Sequence, residues 1–414
     1  MPRAREEAAP RRPRRVRRDR LRGGPRVKIL RFSWLNFRNL TSGELRPCGG
    51  VNVLWGGNAQ GKTNLLEGMW LFTGERSFRG AKDAEMVRAG CAESRLRLDF
   101  YGGGRGQTAQ IRIAAGRRSA QLNGVPQRSC AAMIGEFRAA VFSPEHLSLL
   151  SGGPARRRNF IDAAVCQLRP ACAAVFAEYG RALAQRNALL KDIPAHAELL
   201  DTLDIWDARL ARSGEAVMRA RQAYAQALAG PAARFYAGMC GGREALSLRY
   251  EKNAGDLAAA LRRSRREDLL TGHTGAGPHR DDLAVEISGM GARAYASQGQ
   301  KRSAVIALKL AEAELLARRT GEPPVVFLDD VLSELDGERQ SYLLNRLRDF
   351  QVFVTCCEPV PGGPPASGRE PEPGRQPEPG RQPDTGREPD TGRQPDTGRR
   401  LFHVQGGVPA QGPE

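Results

Sequence analysis

"GGNAQGKTN", residues 56–64, decides how this chain is read. Gly56, Gly61, Lys62 and Thr63 match the pattern G-x-x-x-x-G-K-[ST], with Gly57, Asn58, Ala59 and Gln60 between them. A loop of this kind wraps nucleotide phosphates with its backbone N–H groups. Lys62 would reach the terminal phosphates, and the Thr63 hydroxyl would ligate Mg²⁺. Upstream, "GVNVLW" (50–55) reads as a buried strand; downstream, Leu65, Leu66, Met69, Leu71 and Phe72 recur at helical spacing. The loop alone fits kinases, GTPases and many ATPases, so its partner motifs have to choose.

"VVFLDDVLSELD" (325–336) is an apolar run ending in Asp329-Asp330, as expected of a strand that ends beside the phosphate loop. Asp329 would hold Mg²⁺ through water, and Asp330 would orient or deprotonate an attacking water. The bland alternative is a solvated Asp pair at a strand end. Upstream, "SQGQKR" (297–302) opens a helix. A small hydroxyl (Ser297), a Gly permitting close approach (Gly299) and a positive helix end favour an anionic oxygen, with Gln298 and Gln300 completing the set. Taken alone, the same four residues also read as an ordinary polar cap. The order of loop, Ser-x-Gly-Gln and Asp-Asp strand is that of ATP-binding-cassette ATPases. There the signature touches the γ-phosphate of ATP on the opposite subunit. "SELD" resembles their D-loop and marks Ser333 and Asp336.

The formal charge is +18, unevenly spread. Residues 1–26 hold eleven Arg against Glu6, Glu7 and Asp19, while 359–400 balances seven Arg with seven acids. The remaining excess points to a polyanionic partner such as nucleic acid. Eight cysteines show no C-x-x-C pair and read as reduced thiols, which suits the cytoplasm. No apolar run is long enough to cross a membrane.

The pattern along the chain predicts strands at 27–40, 94–102 and 109–125, with Asn123-Gly124 as a hairpin turn. A further strand, leaving the sheet, is expected at 139–150. Ala, Leu and Arg at helical period predict several long helices over 155–270, and strand character returns with "DDLAVEISG" after Gly277. The expected organisation is a disordered arm (1–26), a first half of an ATPase head (27–145) and a helical lobe (146–272). A second half of the head (273–358), a disordered insertion (359–399) and a C-terminal strand and tail (400–414) follow. The insertion repeats every six residues (GREPEP, GRQPEP, GRQPDT and variants), a composition that cannot bury apolar surface.

In "LNFRNL" (35–40), "GKTNLLE" (61–67), "FSPEHLSLLSGGPARRRNFID" (142–162), "YGRALAQRNALLK" (179–191), "TGAGPHRDDL" (274–283), "ASQGQKRSAVIALKLAEAELL" (296–316) and "FLDDVLSELD" (327–336), the chain resembles the RecF family of bacterial recombinational repair ATPases. The resemblance implies an α/β fold: a Rad50-like cassette P-loop ATPase head with an inserted helical lobe. It implies ATP and Mg²⁺ as cofactors, and weak, DNA-stimulated ATP hydrolysis by an ATP-dependent homodimer. It also implies binding to double-stranded DNA near single-strand gaps, and RecR as a partner that acts with RecO to help load RecA.

Lys301 stands where the family signature has a second Gln. Cys356-Cys357 replaces a usual Thr-Thr, and no His occupies the switch position of transporter cassettes, leaving Thr355 as the best phosphate sensor. Arg156, Arg157 and Arg158 are candidate DNA contacts, with a solvated helix face as the alternative. Arg38 is expected near the nucleotide, by resemblance. His279 and Arg280 read equally as ligand contacts or as loop anchors. The rivals are a transporter ATPase, a Rad50 or SMC-type protein and a non-catalytic nucleotide-gated DNA clamp. The first lacks its His, and the second lacks sustained heptads. The third stays open, because motifs do not separate slow catalysis from binding alone.

Overall fold

The computed structural model describes residues 26–358 and 398–411. The expectations for the Arg-rich arm and the hexapeptide insertion therefore fall outside the described residues.

The chain opens with the hairpin β1 (Lys28–Phe37) and β2 (Leu40–Leu45), then enters a second sheet as β3 (Val51–Trp55), which feeds the loop and α1 (Lys62–Trp70). It returns to the first sheet as β4 (Glu93–Gly102), β5 (Arg105–Ala114), β6 (Arg117–Leu122) and β7 (Val125–Pro126). The antiparallel order is β2-β1-β4-β5-β6-β7, and Asn123-Gly124 turns β6 into β7 as expected. Alternation sets the faces: Leu96, Leu98 and Phe100 are buried, while Arg95 and Arg97 point outward.

The segment 139–150 departs from its reading. Only β8 (Ala139–Phe142) is a strand, and it joins the nucleotide sheet parallel to β12 (Val325–Asp329). Pro144 fixes the first turn of α2 (Pro144–Leu147), which ends the extended run.

Helices α3 (Pro154–Leu168), α4 (Ala171–Asp192), α5 (Leu203–Met239) and α6 (Leu257–Thr271) dominate 155–270 as expected. The same stretch also contains a strand, β9 (Leu246–Glu251), which pairs antiparallel with β10 (Asp282–Ile287) and, through it, with β11 (Met290–Gly291). This small sheet crosses the division expected at 272/273. The 37-residue α5, about 55 Å long, supplies Leu210 and Val217 to the lobe core and Leu228 and Tyr236 to the head core.

A short α7 (Ala292–Tyr295) precedes α8 (Gln298–Thr320), and α9 (Gly337–Arg346) follows β12. β13 (Val352–Cys356), β14 (Arg399–Gln405) and β15 (Val408–Gln411) complete the second sheet in the order β15-β14-β3-β13-β12-β8. The strand expected after the insertion is thus β14, which lies parallel to β3. β12 is buried throughout because it is covered on both faces. Val325 and Phe327 pack with the first sheet and α1, and Val326 and Leu328 pack with α3, α5 and α8. Among the described residues no disulfide is formed, and no helix is long and apolar enough to cross a membrane.

Candidate functional site

The loop after β3 is shaped by positions that exclude a side chain. Gly56 has φ 146°, and a Cβ there would lie 2.4 Å from the Val404 carbonyl oxygen. Gly61 caps α1 at φ 103°, where a Cβ would lie 2.6 Å from Leu40. Both conformations belong to glycine. The Lys62 ammonium donates to the carbonyls of Gly56 (2.6 Å) and Gly57 (2.7 Å), so it is held over the loop. The N-terminus of α1, whose N–H groups and dipole favour phosphate, opens directly behind it.

Sheet register carries the two acids to this loop. β13 lies between β3 and β12, with Thr355 level with both Leu54 and Asp329. The Thr63 hydroxyl donates to Asp329 Oδ1 at 2.8 Å, so the two expected Mg²⁺ ligands meet. Burial holds the Asp329 carboxyl above its ordinary range, against hydrogen bonds from Thr63 and Thr355; Glu145 adds to the rise and Arg79 opposes it. A buried carboxylate beside a hydroxyl at a helix N-terminus is a donor set suited to a hard divalent cation.

Asp330 is exposed and takes a left-handed backbone, φ 52°, unusual for a non-glycine residue. Its N–H donates to Thr355 Oγ1 at 2.9 Å, and Ser333 Oγ donates to its carbonyl (2.8 Å) and carboxylate (3.0 Å). Ser333 of the expected D-loop thus fixes Asp330. Asp336 caps α9 by accepting from the Arg339 N–H at 2.9 Å.

Thr355 does not sit where a phosphate sensor would. It is buried, and its hydroxyl donates to Asp329 Oδ1 at 2.9 Å. It braces both acids from behind, because β13 places it inside the sheet.

Ser297 caps α8 reciprocally: its Oγ accepts from the Gln300 N–H (3.2 Å), and Gln300 Oε1 accepts from the Ser297 N–H (2.7 Å). Gln300 Nε2 also donates to Glu244 at 2.7 Å, which ties the signature turn to the segment after α5. Ser297 and Gln298 are exposed, and Gly299 has open space where a Cβ would stand. Among the described residues Ser297 bonds to residues of its own turn and to none in 56–63.

No protein-family model matches the chain. The DNA replication and repair protein RecF of Agathobacter rectalis is 38% identical over 333 residues, spanning 80% of this chain and 91% of that protein. The chain belongs to the RecF family. RecF of Synechococcus sp. is likewise 38% identical over 344 residues, covering 79% of this chain and 90% of that protein. Two solved structures of the recombination mediator protein RecF in the RecFOR pathway are 31% identical. The one described as RecF-ATP covers 93% of this chain and 98% of its own with a TM-score of 0.80. The one described as RecF-ATPrS covers 94% and 98% with a TM-score of 0.79.

Set in the RecF head, the remaining sequence candidates divide. Arg157 is not a free DNA contact: only 4% exposed, it forms a bidentate pair with Asp282 (2.7 and 2.8 Å) and donates to the Leu149 and Gly152 carbonyls. Arg158 is half-buried and donates to the Asp281 carbonyl at 2.8 Å, which leaves Arg156 as the exposed member of the run. Arg38 is committed to a bidentate pair with the buried Glu67 of α1 (2.9 and 2.8 Å). His279 is a loop anchor, bonded to Tyr179 (2.6 Å) and to the Thr274 carbonyl (2.9 Å).

Sequence reading missed the outer brace of the loop. Asn39 donates to the Ala59 carbonyl at 2.9 Å and accepts from Asn64 at 2.8 Å. The turn after β14 grips Gln60: Gly406 N–H donates to its side chain (2.6 Å) and Gly407 N–H to its carbonyl (3.0 Å). His403 stacks on Trp55 with ring centroids 4.1 Å apart. The family segment "LNFRNL" already contained Asn39, whereas no local signal links residues 403–407 to the loop.

Proposed function

We propose that this chain acts in DNA replication and repair as an ATP-dependent DNA-binding protein whose head works as an ATP-bridged dimer. The observation that supports this most is the meeting of Thr63, Asp329 and Asp330 at the mouth of the phosphate loop, with a separate capped signature on α8. In this reading 27–145, 273–358 apart from β10, and 400–411 form the head, and 146–272 together with β10 form the lobe.

Each residue then has a task. Residues 56–61 offer N–H groups to the phosphates, and Lys62 leaves the Gly56 and Gly57 carbonyls to face the β- and γ-phosphates. Thr63 and Asp329 would hold Mg²⁺, which would supply positive charge against the nucleotide phosphates. Asp330, fixed by Ser333 and Thr355, orients the attacking water and accepts its proton. Ser297, Gln298, Gly299 and Gln300 complete the site of the other subunit, because an exposed helix N-terminus favours the γ-phosphate oxygens. Bound ATP then joins two heads, and a dimer closed in this way holds duplex DNA beside a single-strand gap. RecR, with RecO, would use that dimer to promote RecA loading.

A second reading, in which ATP only joins the subunits and turnover is incidental, is favoured by the exposed, partly solvated position of Asp330. Measuring ATP turnover with and without gapped duplex separates the two. A gap-dependent rise that Asp330→Asn removes supports the switch; equal turnover in both, with DNA binding still dependent on ATP, supports the clamp.

A further inference from the structure

The signature turn is not held by its own residues alone. Gln300 uses both ends of its side-chain amide: Oε1 accepts from the Ser297 N–H at 2.7 Å, and Nε2 donates to Glu244 Oε1 at 2.7 Å. The other carboxylate oxygen of Glu244 accepts from the Tyr236 hydroxyl at 2.5 Å. Tyr236 lies in the last turn of α5 and is buried in the head core. One carboxylate therefore joins the end of α5 to the start of α8.

The local sequence explains how Glu244 reaches this place. Gly241 and Gly242 take left-handed backbones, φ 63° and 75°, and the Gly242 N–H donates to the Ala237 carbonyl at 2.8 Å, which closes α5. The chain reverses at this glycine pair and sets Glu244 beside the helical turn it has just left. Two residues on, Leu246 opens β9 opposite Ile287 of β10, so the far side of Glu244 is fixed as well. The end of α5 is itself wedged: a side chain at Gly238 would run into Tyr342 of α9, the helix that Asp336 caps. The hydrogen bonds from Tyr236 and Gln300 hold the Glu244 carboxyl below its ordinary range, with Arg243 and Arg339 adding to them and burial opposing. Gln300 thus meets an ionised acceptor, the kind that forms the stronger hydrogen bonds.

We propose that Glu244 is a positioning residue for the signature: it holds the Gln300 side chain, and through it the Ser297 turn, in the conformation presented to ATP on the other subunit. It touches no nucleotide and acts through Gln300 alone. Gln300 in turn protects the Ser297 N–H, so a loosened Gln300 exposes that N–H to water and unsettles the reciprocal cap. The role rests on the ATP-bridged dimer proposed above.

Hydrogen exchange and sedimentation on the full chain test it with Glu244→Ala, Glu244→Gln and Ser297→Arg. Without nucleotide, Glu244→Ala should speed amide exchange across 297–301 by about tenfold, the effect of losing one hydrogen bond to a charged group. Glu244→Gln still offers Gln300 an oxygen and should exchange like the wild type. With ATP and Mg²⁺, Glu244→Ala should bind ATP with wild-type affinity but dimerise about tenfold more weakly, and Glu244→Gln should recover the dimer. Unchanged exchange at 297–301 in Glu244→Ala, or faster exchange confined to the end of α5 at 236–243, would overturn the role. So would a Glu244→Ala dimer as tight as the wild type while Ser297→Arg is monomeric, a result that leaves the dimer reading standing. If Ser297→Arg dimerises as well, the dimer reading itself fails and the positioning role falls with it.

Discussion

The Thr63 hydroxyl donates to Asp329 Oδ1 at 2.8 Å across 266 residues of sequence, so the metal end of the site is assembled by sheet register. Because burial holds the folded Asp329 carboxyl above its ordinary value, the fold loses stability as pH rises through that range, and the ionised group is a burden at neutral pH. Asp329→Asn should therefore raise the melting temperature of the protein without ligand and abolish the added stabilisation by Mg²⁺ with ATP. Differential scanning calorimetry with and without Mg²⁺ checks both halves. A lower melting temperature in the variant would contradict the desolvation argument.

Thr355 accepts from the Asp330 N–H and donates to Asp329. Thr355→Val keeps the shape but leaves the Asp330 N–H unpaired and removes one of the two hydrogen bonds to Asp329, which costs about 1–3 kcal/mol. Turnover should fall while ATP affinity stays near that of the wild type. If affinity for ATP falls as much as turnover, Thr355 touches the nucleotide after all.

Arg157 and Arg156 should separate cleanly. Removing one partner of a buried pair such as Arg157–Asp282 costs about 3–5 kcal/mol, so Arg157→Ala should appear in denaturant unfolding. Arg156→Ala should leave stability unchanged and reduce the salt slope of DNA binding by about one. A salt slope that ignores Arg156 removes the run 156–158 from the DNA surface.

His279, bonded to Tyr179 of the lobe, gives the fold a pH dependence. Burial holds its folded pKa below the ordinary 6.5, with neighbouring Arg280 and Arg158 acting in the same direction and Asp281 and the Thr274 carbonyl opposing. The unfolded chain thus takes up a proton that the fold resists. Stability is lost as pH falls through 6.5, with a slope of at most about 1.4 kcal/mol per pH unit for one such group. His146 shares this direction. Unfolding at pH 7.5 and 5.5 should show a smaller loss in His279→Gln than in the wild type, and equal losses would remove His279 as the source.

The loop, the Asp pair and the signature were legible because each is written within a few adjacent residues, and their order along the chain restricted the fold. What stayed hidden depends on distant partners. Arg157 looked like its exposed neighbour Arg156 until α3 met Asp282, 125 residues away. Thr355 passed for a sensor because nothing local says that β13 inserts between β3 and β12. β9 is six residues long within a helical region and becomes a strand by pairing with β10. The grip of Gly406 and Gly407 on Gln60 spans the insertion and leaves no local trace.

The central claim is that ATP joins two heads through Ser297. Sedimentation velocity of the wild type, Ser297→Arg and Asp330→Asn, each with ATP and Mg²⁺, tests it most directly. Ser297→Arg leaves residues 56–63 untouched and should bind ATP as a monomer, while Asp330→Asn should give a dimer longer-lived than that of the wild type. A stable Ser297→Arg dimer, or a monomeric Asp330→Asn with ATP bound, would contradict the account.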